Sequence, residues 1–372
     1  MYQDVDRMVA RMSVRRHEYT NDTLSEEMRC GGCGAKIGPG PLSRVLSRLS
    51  PARGQGVLIG LDAPDDAAVT VPTKGKMLVQ TVDFFPAFID DPYLLGEIAA
   101  NHALNDVFAM GGVPRHALAT VVVPPGPASK VEEALFQLLS GARVCLDREE
   151  VALIGGHSSE GTRVAIGFSV TGEVARDRIV RKAGLKPDDA LVLTRPLGTG
   201  ILFAAAMRAR AKAPWIDMAL CEMRHSNRSA VAVLAAHGVT AMTDITGFGL
   251  IGHLGEMLLA SRASATLDLA SIPLYEGAFI LAREGVTSTL LAENLVIGHL
   301  LRGEFDAPTR AVLFDPQTSG GVLAGIPADR AAECVAKLRA KGHVHAAIIG
   351  RVIATGLPEG EATVTASRCL QH

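Results

Sequence analysis

Two β-branched, apolar runs flank one long helix in the first half of the chain, and this pattern restricts the fold strongly. The runs MLVQTVDFF (77–85) and ALATVVV (117–123) are typical of strands. Between them, Asp91 is a good N-cap, Pro92 suits the first helical position and Gly111 follows the helix end. A chain that alternates strands and helices in this way is expected to fold as an α/β protein.

The alternation restarts in the second half, where several predicted strand pairs are separated only by short turns. Short connections favour mixed sheets over a purely parallel, doubly wound sheet. We therefore predict an α/β (α+β) chain with two domains and mixed sheets flanked by helices. The polar stretch VRKAGLKPDDA (180–190) places the domain junction near residue 175. The predicted division is an extension or linker over 1–27, an N-terminal domain over 28–175 and a C-terminal domain over 176–372.

Composition excludes several classes of function. The net charge is −2, with no basic patch that would indicate nucleic acid or a membrane surface. No apolar run reaches the roughly 18–20 residues of a membrane span, and the first residues lack the apolar core of a secretory signal. Six cysteines are too few and too scattered for a disulfide scaffold, which favours reduced thiols in the cytoplasm.

Aspartates recur at the ends of the predicted elements. They are Asp62, Asp65 and Asp66 in LDAPDDAAV, Asp83 in TVDFF, Asp106 in ALNDVFAMGG and Asp244 in AMTDITGFG. The ordinary interpretation is that aspartates cap helices and fill turns. Asp106 fits that interpretation poorly, because a carboxylate near a helix C-terminus opposes the helix dipole.

If several of these carboxylates converge, they need a cation. Two carboxylates about 4 Å apart, at an effective dielectric constant near 20, repel each other by roughly 4 kcal/mol. Oxygen ligands without a nearby Cys/His pair suit Mg²⁺, which binds through carboxylates and substrate phosphates together. The residues alone leave both interpretations open, separate caps or a shared Mg²⁺ site.

Three glycine-rich segments are candidates for phosphate binding. ALIGGHSSEG (152–161) is a predicted strand running into a Gly-Gly turn, and DPQTSGG (315–321) is a second glycine turn. Both could present backbone amides to phosphate, or be plain turns. GFGLIG (247–252) matches the dinucleotide fingerprint GxGxxG, which would predict a nicotinamide enzyme. Asp244 stands directly before these glycines and would repel a pyrophosphate, which counts against that alternative.

The segment MRCGGCGAKIG (28–38) carries two close cysteines and a lysine. A structural zinc site needs four ligands, and this segment supplies two. A thioredoxin-type pair should follow a strand and open a helix, and here irregular, charged sequence precedes it. What remains is a glycine loop in which Lys36 would lower the thiol pKa of Cys33, or an ordinary segment with incidental cysteines.

Taken together, these segments resemble the selenophosphate synthetase (selenide, water dikinase) family. The similar stretches are GCGAK (32–36), DDAAV (65–69), TVDFFPAFIDDPYLLGEIAANHALNDVFAMGG (81–112), GGHS (155–158), VTGEV (170–174), MTDITGFGLIGHL (242–254) and DPQTSGG (315–321). The resemblance implies a fold like that of aminoimidazole ribonucleotide synthetase, with dimerisation through N-terminal strands. It implies a phosphotransferase that uses ATP, selenide and water, with selenium supplied as selenide or by a delivery protein, and that releases selenophosphate, AMP and phosphate.

The resemblance also implies roles for individual residues. Cys33 matches the reactive cysteine and Lys36 the essential lysine, which also contacts ATP. The implied Mg²⁺ ligands are Asp66, Asp106 and Asp244. The implied ATP contacts are Ala63, Pro64, Asp65, Asp83, Asp106, Gly156, His157 and Ser158.

Departures from the family pattern keep alternatives open. Ala35 stands where a second cysteine is frequent, and His102 stands where asparagine is common. Residues 1–27 have no obvious counterpart. The alternatives are a related ATP-dependent synthetase or kinase with another substrate, and a nucleotide-binding scaffold without turnover.

Overall fold

The computed structural model describes residues 39–49, 56–59, 69–358, 360–367 and 370. The first part of the described chain contains three helices and six strands. They are α1 (Pro39–Leu49), β1 (Val57–Ile59), β2 (Val69–Thr70), β3 (Met77–Pro86), α2 (Pro92–Ala109), β4 (Val113–Val123), α3 (Ala128–Arg148), β5 (Ala152–Glu160) and β6 (Ala165–Val174). As predicted, α2 starts at Pro92 with Asp91 as its cap, and the Asp91 carboxylate accepts the Leu94 N–H.

Strands β3 to β6 form a four-stranded sheet in the order β3-β6-β4-β5. Its β3/β6 and β4/β6 pairs are antiparallel and its β4/β5 pair is parallel. On β6, the fully buried Ile166, Phe168 and Val170 lie on the inner face, against α2. In register, Phe168 lies opposite Asp83, so that this carboxylate also belongs to the inner face.

The remaining elements follow β6 along the chain. They are β7 (Ala190–Leu193), α4 (Thr199–Ala206), α5 (Ala213–Met223), α6 (Arg228–Ala236), β8 (Ala241–Asp244), α7 (Gly249–Ser261), β9 (Ala263–Asp268), α8 (Ala278–Arg283), α9 (Leu291–Asn294), β10 (Leu301–Arg302), α10 (Ala307–Leu313), β11 (Val322–Ile326), α11 (Ala328–Ala340), β12 (Ala347–Thr355) and β13 (Val364–Ser367). Among the residues described, no helix is both long and apolar enough to cross a membrane.

A seven-stranded sheet organises this second part, in the order β10-β13-β9-β12-β7-β11-β8. The β11 strand pairs antiparallel with both β7 and β8, whereas β13 is parallel to its two neighbours. Its central strands are buried on both faces, as Leu191, Val192 and Leu323 illustrate. Both larger sheets therefore mix parallel and antiparallel pairs and are flanked by helices, which confirms the predicted fold class.

One expectation drawn from a glycine motif is wrong, and one alternative drawn from another is excluded. The Gly155-Gly156 pair is not a turn, because β5 runs on through it to Glu160. A Cβ on Gly156 would lie 2.1 Å from the Ala119 carbonyl oxygen, so glycine is needed where β5 approaches β4. The dinucleotide-binding alternative for GFGLIG also fails, because β8 pairs antiparallel with β11 and is not adjacent to β9.

Helices α2 and α3 approach each other backbone to backbone at a pair of glycines. A Cβ on Gly96 would lie 1.9 Å from the Leu138 carbonyl oxygen, and one on Gly141 would lie 1.8 Å from the Tyr93 carbonyl oxygen. Side-chain rearrangement cannot relieve a contact with a neighbouring backbone. This close crossing therefore fixes α2, and the polar residues it carries, against α3.

Gly141→Ala should destabilise the protein. Alanine gains about 1 kcal/mol over glycine in helix propensity, but overpacking against Tyr93 should cost roughly 1–3 kcal/mol or more. We expect a lower Tm in thermal unfolding. Gly126→Ala is the control, because a Cβ there meets nothing within 4 Å. Equal melting temperatures for the two variants would contradict the close crossing.

Candidate active site

Three carboxylates and one imidazole from separate segments lie close enough to influence one another's ionisation. Asp83 comes from β3, His102 and Asp106 from α2, and Asp244 from the end of β8. His102 Nε2 lies 3.7 Å from Asp83 Oδ1. Burial raises the pKa of Asp244, the charges of Asp106 and Asp83 raise it further, and the charge of His102 lowers it. The structure thus brings together three aspartates that are far apart in sequence.

Of the three carboxylates, Asp244 is the one whose negative charge its surroundings disfavour most clearly. Its side chain is buried, and its Oδ2 atom has no hydrogen-bond partner. Burial raises the pKa of this carboxyl to about 7, with the negative charge of Asp106 as the next cause. The register of β8 against β11 places Asp244 opposite Val322, so the position of the carboxylate is set by sheet pairing. A buried carboxylate with a free oxygen beside other carboxylates is suited to binding a cation.

Asp106 lies in the last turn of α2, as the sequence predicted, where the helix dipole disfavours negative charge. The Thr81 hydroxyl donates a hydrogen bond to Asp106 Oδ2. Thr81 stands two residues before Asp83 on the same face of β3. One strand therefore supports the Asp106 carboxylate and also supplies Asp83.

His102 is buried between the carboxylates and the second half of the chain. Its Nδ1 accepts a hydrogen bond of 3.0 Å from the Ser319 backbone N–H. The Phe85 ring meets the imidazole edge to face, with the ring centroids 5.3 Å apart. Because Nδ1 is an acceptor in this arrangement, the proton of the neutral ring is on Nε2, the nitrogen that faces Asp83.

Among the described residues, no three His, Cys, Asp or Glu side chains are arranged closely enough to complete a metal site. Asp66, the third predicted Mg²⁺ ligand, lies outside those residues. So do Cys33, Lys36, Ala63, Pro64 and Asp65, and their roles stay predictions. The fit to a divalent cation therefore rests on Asp106 and Asp244, which supply only oxygen donors. These are the donors that Mg²⁺ prefers.

The predicted ATP contact at His157 lies elsewhere in the same chain. Across the sheet, His157 pairs with Thr120, Thr120 with Gly167, and Gly167 with Phe84. Directly opposite residues point to the same side of a sheet, so His157 shares the outer face with Phe84. Asp83 points to the inner face, and β3 and β5 are opposite edges of the sheet. Within one chain, the structure does not bring His157 to the carboxylates.

The two neighbours of His157 in the strand, Gly156 and Ser158, lie on the inner side of the sheet, opposite to His157. Gly156 is exposed. Ser158 is buried, and its hydroxyl has no hydrogen-bond partner. Ser158 lies opposite Val121 on the inner side of the sheet.

The segment DPQTSGG does not offer its first amides to a phosphate. The N–H groups of Gln317, Thr318 and Ser319 donate to the Thr246 carbonyl, the Thr199 hydroxyl and His102 Nδ1, respectively. The hypothesis that these three amides bind phosphate is therefore wrong.

Side chains of the same segment instead complete the N-terminus of α4. Gln317 Oε1 accepts the N–H groups of Gly198 and Thr199, and Asp315 Oδ2 accepts that of Ile201. Burial nevertheless raises the pKa of Asp315 to about 8. The segment is a structural joint between distant parts of the chain.

Sequence reasoning missed one further buried polar residue on α2. Asn105 is fully buried, and neither polar atom of its amide has a hydrogen-bond partner. It lies one helical turn after Asn101 and His102 on α2. The spacing of polar residues in NHALND, inside an otherwise apolar helix, was the available signal.

Comparison with known families covers most of the chain. The model for the AIR synthase related protein, N-terminal domain, matches residues 64–174. The model for the AIR synthase related protein, C-terminal domain, matches residues 186–362. The domain boundaries predicted from sequence remain predictions, since a family match does not define where a domain starts.

Curated relatives extend over nearly the whole chain. A selenide, water dikinase of Myxococcus xanthus is 41% identical over 88% of this chain and 94% of its own length. Another from Pelobacter propionicus is 38% identical over 90% of this chain and 96% of its own length. A third, from Clostridioides difficile, is 35% identical over 92% and 97%.

Solved structures show the same fold at low sequence identity. Thiamine-monophosphate kinase from Stenotrophomonas maltophilia superposes with a TM-score of 0.65, at 19% identity, over 88% of this chain and 97% of that one. The hydrogenase maturation protein HypE, solved in complex with ATP, gives a TM-score of 0.65 at 18% identity over 93% and 95%. These likenesses confirm the predicted aminoimidazole ribonucleotide synthetase-like fold.

The buried carboxyl of Asp244 should make stability depend on pH. Its folded pKa of about 7 lies above the ordinary 3.8, so the folded state holds this proton more tightly. The resulting stabilisation is complete below pH 4 and is lost as the pH rises through 7. Asp244→Asn cannot ionise and should therefore melt a few degrees above the parent at pH 8, with a smaller difference at pH 5.

The measurement is thermal unfolding in EDTA at both pH values. Asp177→Asn, at an exposed position, is the matched control and should change neither melting temperature. A difference between Asp244→Asn and the parent that is the same at pH 5 and pH 8 would contradict the raised pKa.

Proposed function

This chain belongs to the selenide, water dikinase family, and we propose that it is a phosphotransferase that makes selenophosphate from ATP, selenide and water, releasing AMP and phosphate. The observation that carries the proposal is the convergence of Asp83, Asp106 and Asp244. Phosphoryl transfer depends mainly on positioning and on neutralising charge. A cluster of carboxylates can contribute to this by holding cations against the phosphate chain.

We propose that Asp66, Asp106 and Asp244 hold Mg²⁺, and that Asp83 and Asp106 contact the bound ATP. The free, buried oxygen of Asp244 and the purely oxygen donor set fit this ion. When bound, Mg²⁺ would neutralise charge on the phosphates and align them for attack. The protein's own contribution is to hold the carboxylates at a fixed separation, with Thr81 orienting Asp106.

Residues outside the described part of the chain complete the proposal. Lys36 would contact ATP and add positive charge near the phosphates, as a lysine ammonium does in other phosphate sites. Cys33 would lie beside the selenide, and Lys36 would favour its thiolate form. The Ala63–Asp65 segment would contact ATP. The selenium source, free selenide or a delivery protein, and the cytoplasmic location are carried forward as predictions.

We also propose that the protein acts as a homodimer. The outer face of the four-stranded sheet exposes Leu78, Val82, Phe84 and Leu118, with Val82 68% accessible to solvent. A contiguous apolar surface of this kind marks an interaction site. His157 lies on the same face, beyond reach of its own chain's carboxylates. A second copy on this face could accept the Gly156–Ser158 segment at its own nucleotide.

Phosphorus NMR of the protein with ATP, Mg²⁺ and selenide tests the function. We expect a selenophosphate signal and AMP, both dependent on selenide, and we expect Cys33→Ala to abolish selenophosphate formation. Cys221→Ala is the matched control, because Cys221 is an exposed thiol outside the proposed site. ATP consumption without a selenophosphate signal, beside an active reference enzyme, would contradict the proposal and favour another substrate.

A second substitution tests the carboxylates. Asp106→Asn removes the charge and keeps the shape of the residue, and we expect at least a hundredfold loss of kcat because the proposed cation site loses a ligand. Asp177→Asn, on the exposed surface, should retain full activity. Measured AMP formation within threefold of the parent for Asp106→Asn would exclude this residue as a ligand.

A further inference from the structure

A buried polar junction, which the proposed chemistry does not use, joins α2 to the segment 315–321. Its side chains are Asn101, His102, Arg195, Asn227 and Ser319. Four of the five are at most 1% exposed, and His102 is 9% exposed. Buried polar groups at this density are costly unless each is paired. Apolar side chains would fill the same space at lower cost, so these polar residues have a role other than filling the core.

Ser319 is the centre of the junction, and its polar groups are all engaged. Its N–H donates to His102 Nδ1 at 3.0 Å, and its hydroxyl donates to the Met223 carbonyl at 2.7 Å. Its hydroxyl also accepts from Asn101 Nδ2 at 3.0 Å, and its carbonyl accepts from Arg195 at 2.8 Å. Ser319 has a φ of +49°, a left-handed conformation that is unfavourable for a non-glycine residue. The surrounding contacts hold the residue in this conformation.

Arg195 also holds the backbone of residues 319–320 in place. It is fully buried, and its hydrogen bonds run to backbone carbonyls of His225, Ser319 and Gly320. Asn227 also donates to the Gly320 carbonyl, at 3.0 Å. A buried guanidinium bonded to carbonyls alone is a poor source of net stability. Its several donors do, however, fix the position of the backbone segment whose carbonyls they contact.

The junction continues directly to Asp244. The Ile245 N–H donates to the Gly321 carbonyl at 2.8 Å, and Val322 pairs with Asp244 in the sheet. A short path of hydrogen bonds and covalent backbone thus runs from His102 on α2, through residues 319–322, to the strand end that carries Asp244. Asp106 is one turn from His102 on the same helix.

We infer that His102 is a positioning residue whose Nδ1 acceptor ties α2 to Ser319 and so sets the separation of Asp106 from Asp244. This inference rests on the proposed function, in which Asp106 and Asp244 would help to hold a divalent cation. Without a tie the carboxylates repel, and the cation site widens. For this role His102 needs a hydrogen-bond acceptor at the Nδ1 position. The edge-to-face contact with Phe85 holds the imidazole ring in the orientation that places the acceptor there.

Two substitutions distinguish the role of the Nδ1 acceptor from the role of the imidazole ring in packing. His102→Phe keeps the ring and its packing but has no acceptor for the Ser319 N–H. His102→Asn is smaller, and its Oδ1 can take the place of Nδ1. We expect His102→Phe to lower kcat/KM for ATP at least tenfold and to raise the Mg²⁺ concentration that gives half-maximal activity. We expect His102→Asn to stay within about threefold of the parent in both quantities.

Melting temperatures distinguish positioning from folding. If His102→Phe lowers only Tm and retains the parent's kinetic constants per folded molecule, the residue is merely structural and the inference fails. It also fails if His102→Asn is as impaired as His102→Phe. Should His102→Phe not fold, His102→Leu replaces it, because leucine also has no acceptor for the Ser319 N–H; activity equal to the parent would then overturn the inference.

Controls separate this inference from the proposed function. Ser319→Gly keeps the backbone N–H and suits the positive φ, and should preserve the Mg²⁺ requirement although it loses the hydroxyl contacts. A parent enzyme without selenide-dependent AMP formation would refute the proposed function. A fully active parent matched by an equally active His102→Phe would refute the positioning role alone.

Discussion

Repulsion between carboxylates is the constraint on which the site depends. Asp83, Asp106 and Asp244 come from three segments, and Asp244 is buried with one oxygen unpartnered. Such a cluster opposes folding above neutral pH, so its persistence requires rigid surroundings. The four-stranded sheet holds Asp83, α2 holds Asp106 and the β8/β11 pairing holds Asp244. Each depends on backbone hydrogen bonds that single side chains cannot easily rearrange.

The two halves of the described chain are joined where the carboxylates meet. Helix α2 is fixed on one side by its glycine crossing with α3, and on the other by the polar junction around Ser319. The segment 315–321 at once fills the N-terminus of α4, contacts His102 and leads into β11. We infer that residues 315–321 therefore affect the proposed chemistry as well as the fold, because they help to set the distance between Asp106 and Asp244.

The sequence predicted elements that local rules decide. The caps of α2, the mixed sheets and the position of Asp106 near a helix end follow from propensity and spacing. The contact between Ser319 and His102 was not predictable, since it joins residues 217 positions apart through a backbone N–H. The prediction of a turn at Gly155-Gly156 was wrong for the same reason. Gly155-Gly156 lies inside a strand because β5 must approach β4 closely, a tertiary requirement that no local pattern reveals.

A crystal structure with Mn²⁺ and a non-hydrolysable ATP analogue tests the central claim most directly. Anomalous scattering locates Mn²⁺ without ambiguity from water. The account predicts a peak bonded to carboxylate oxygens of both Asp106 and Asp244 and to the phosphate chain. A structure with the nucleotide bound, but with the metal away from these two residues, would contradict it.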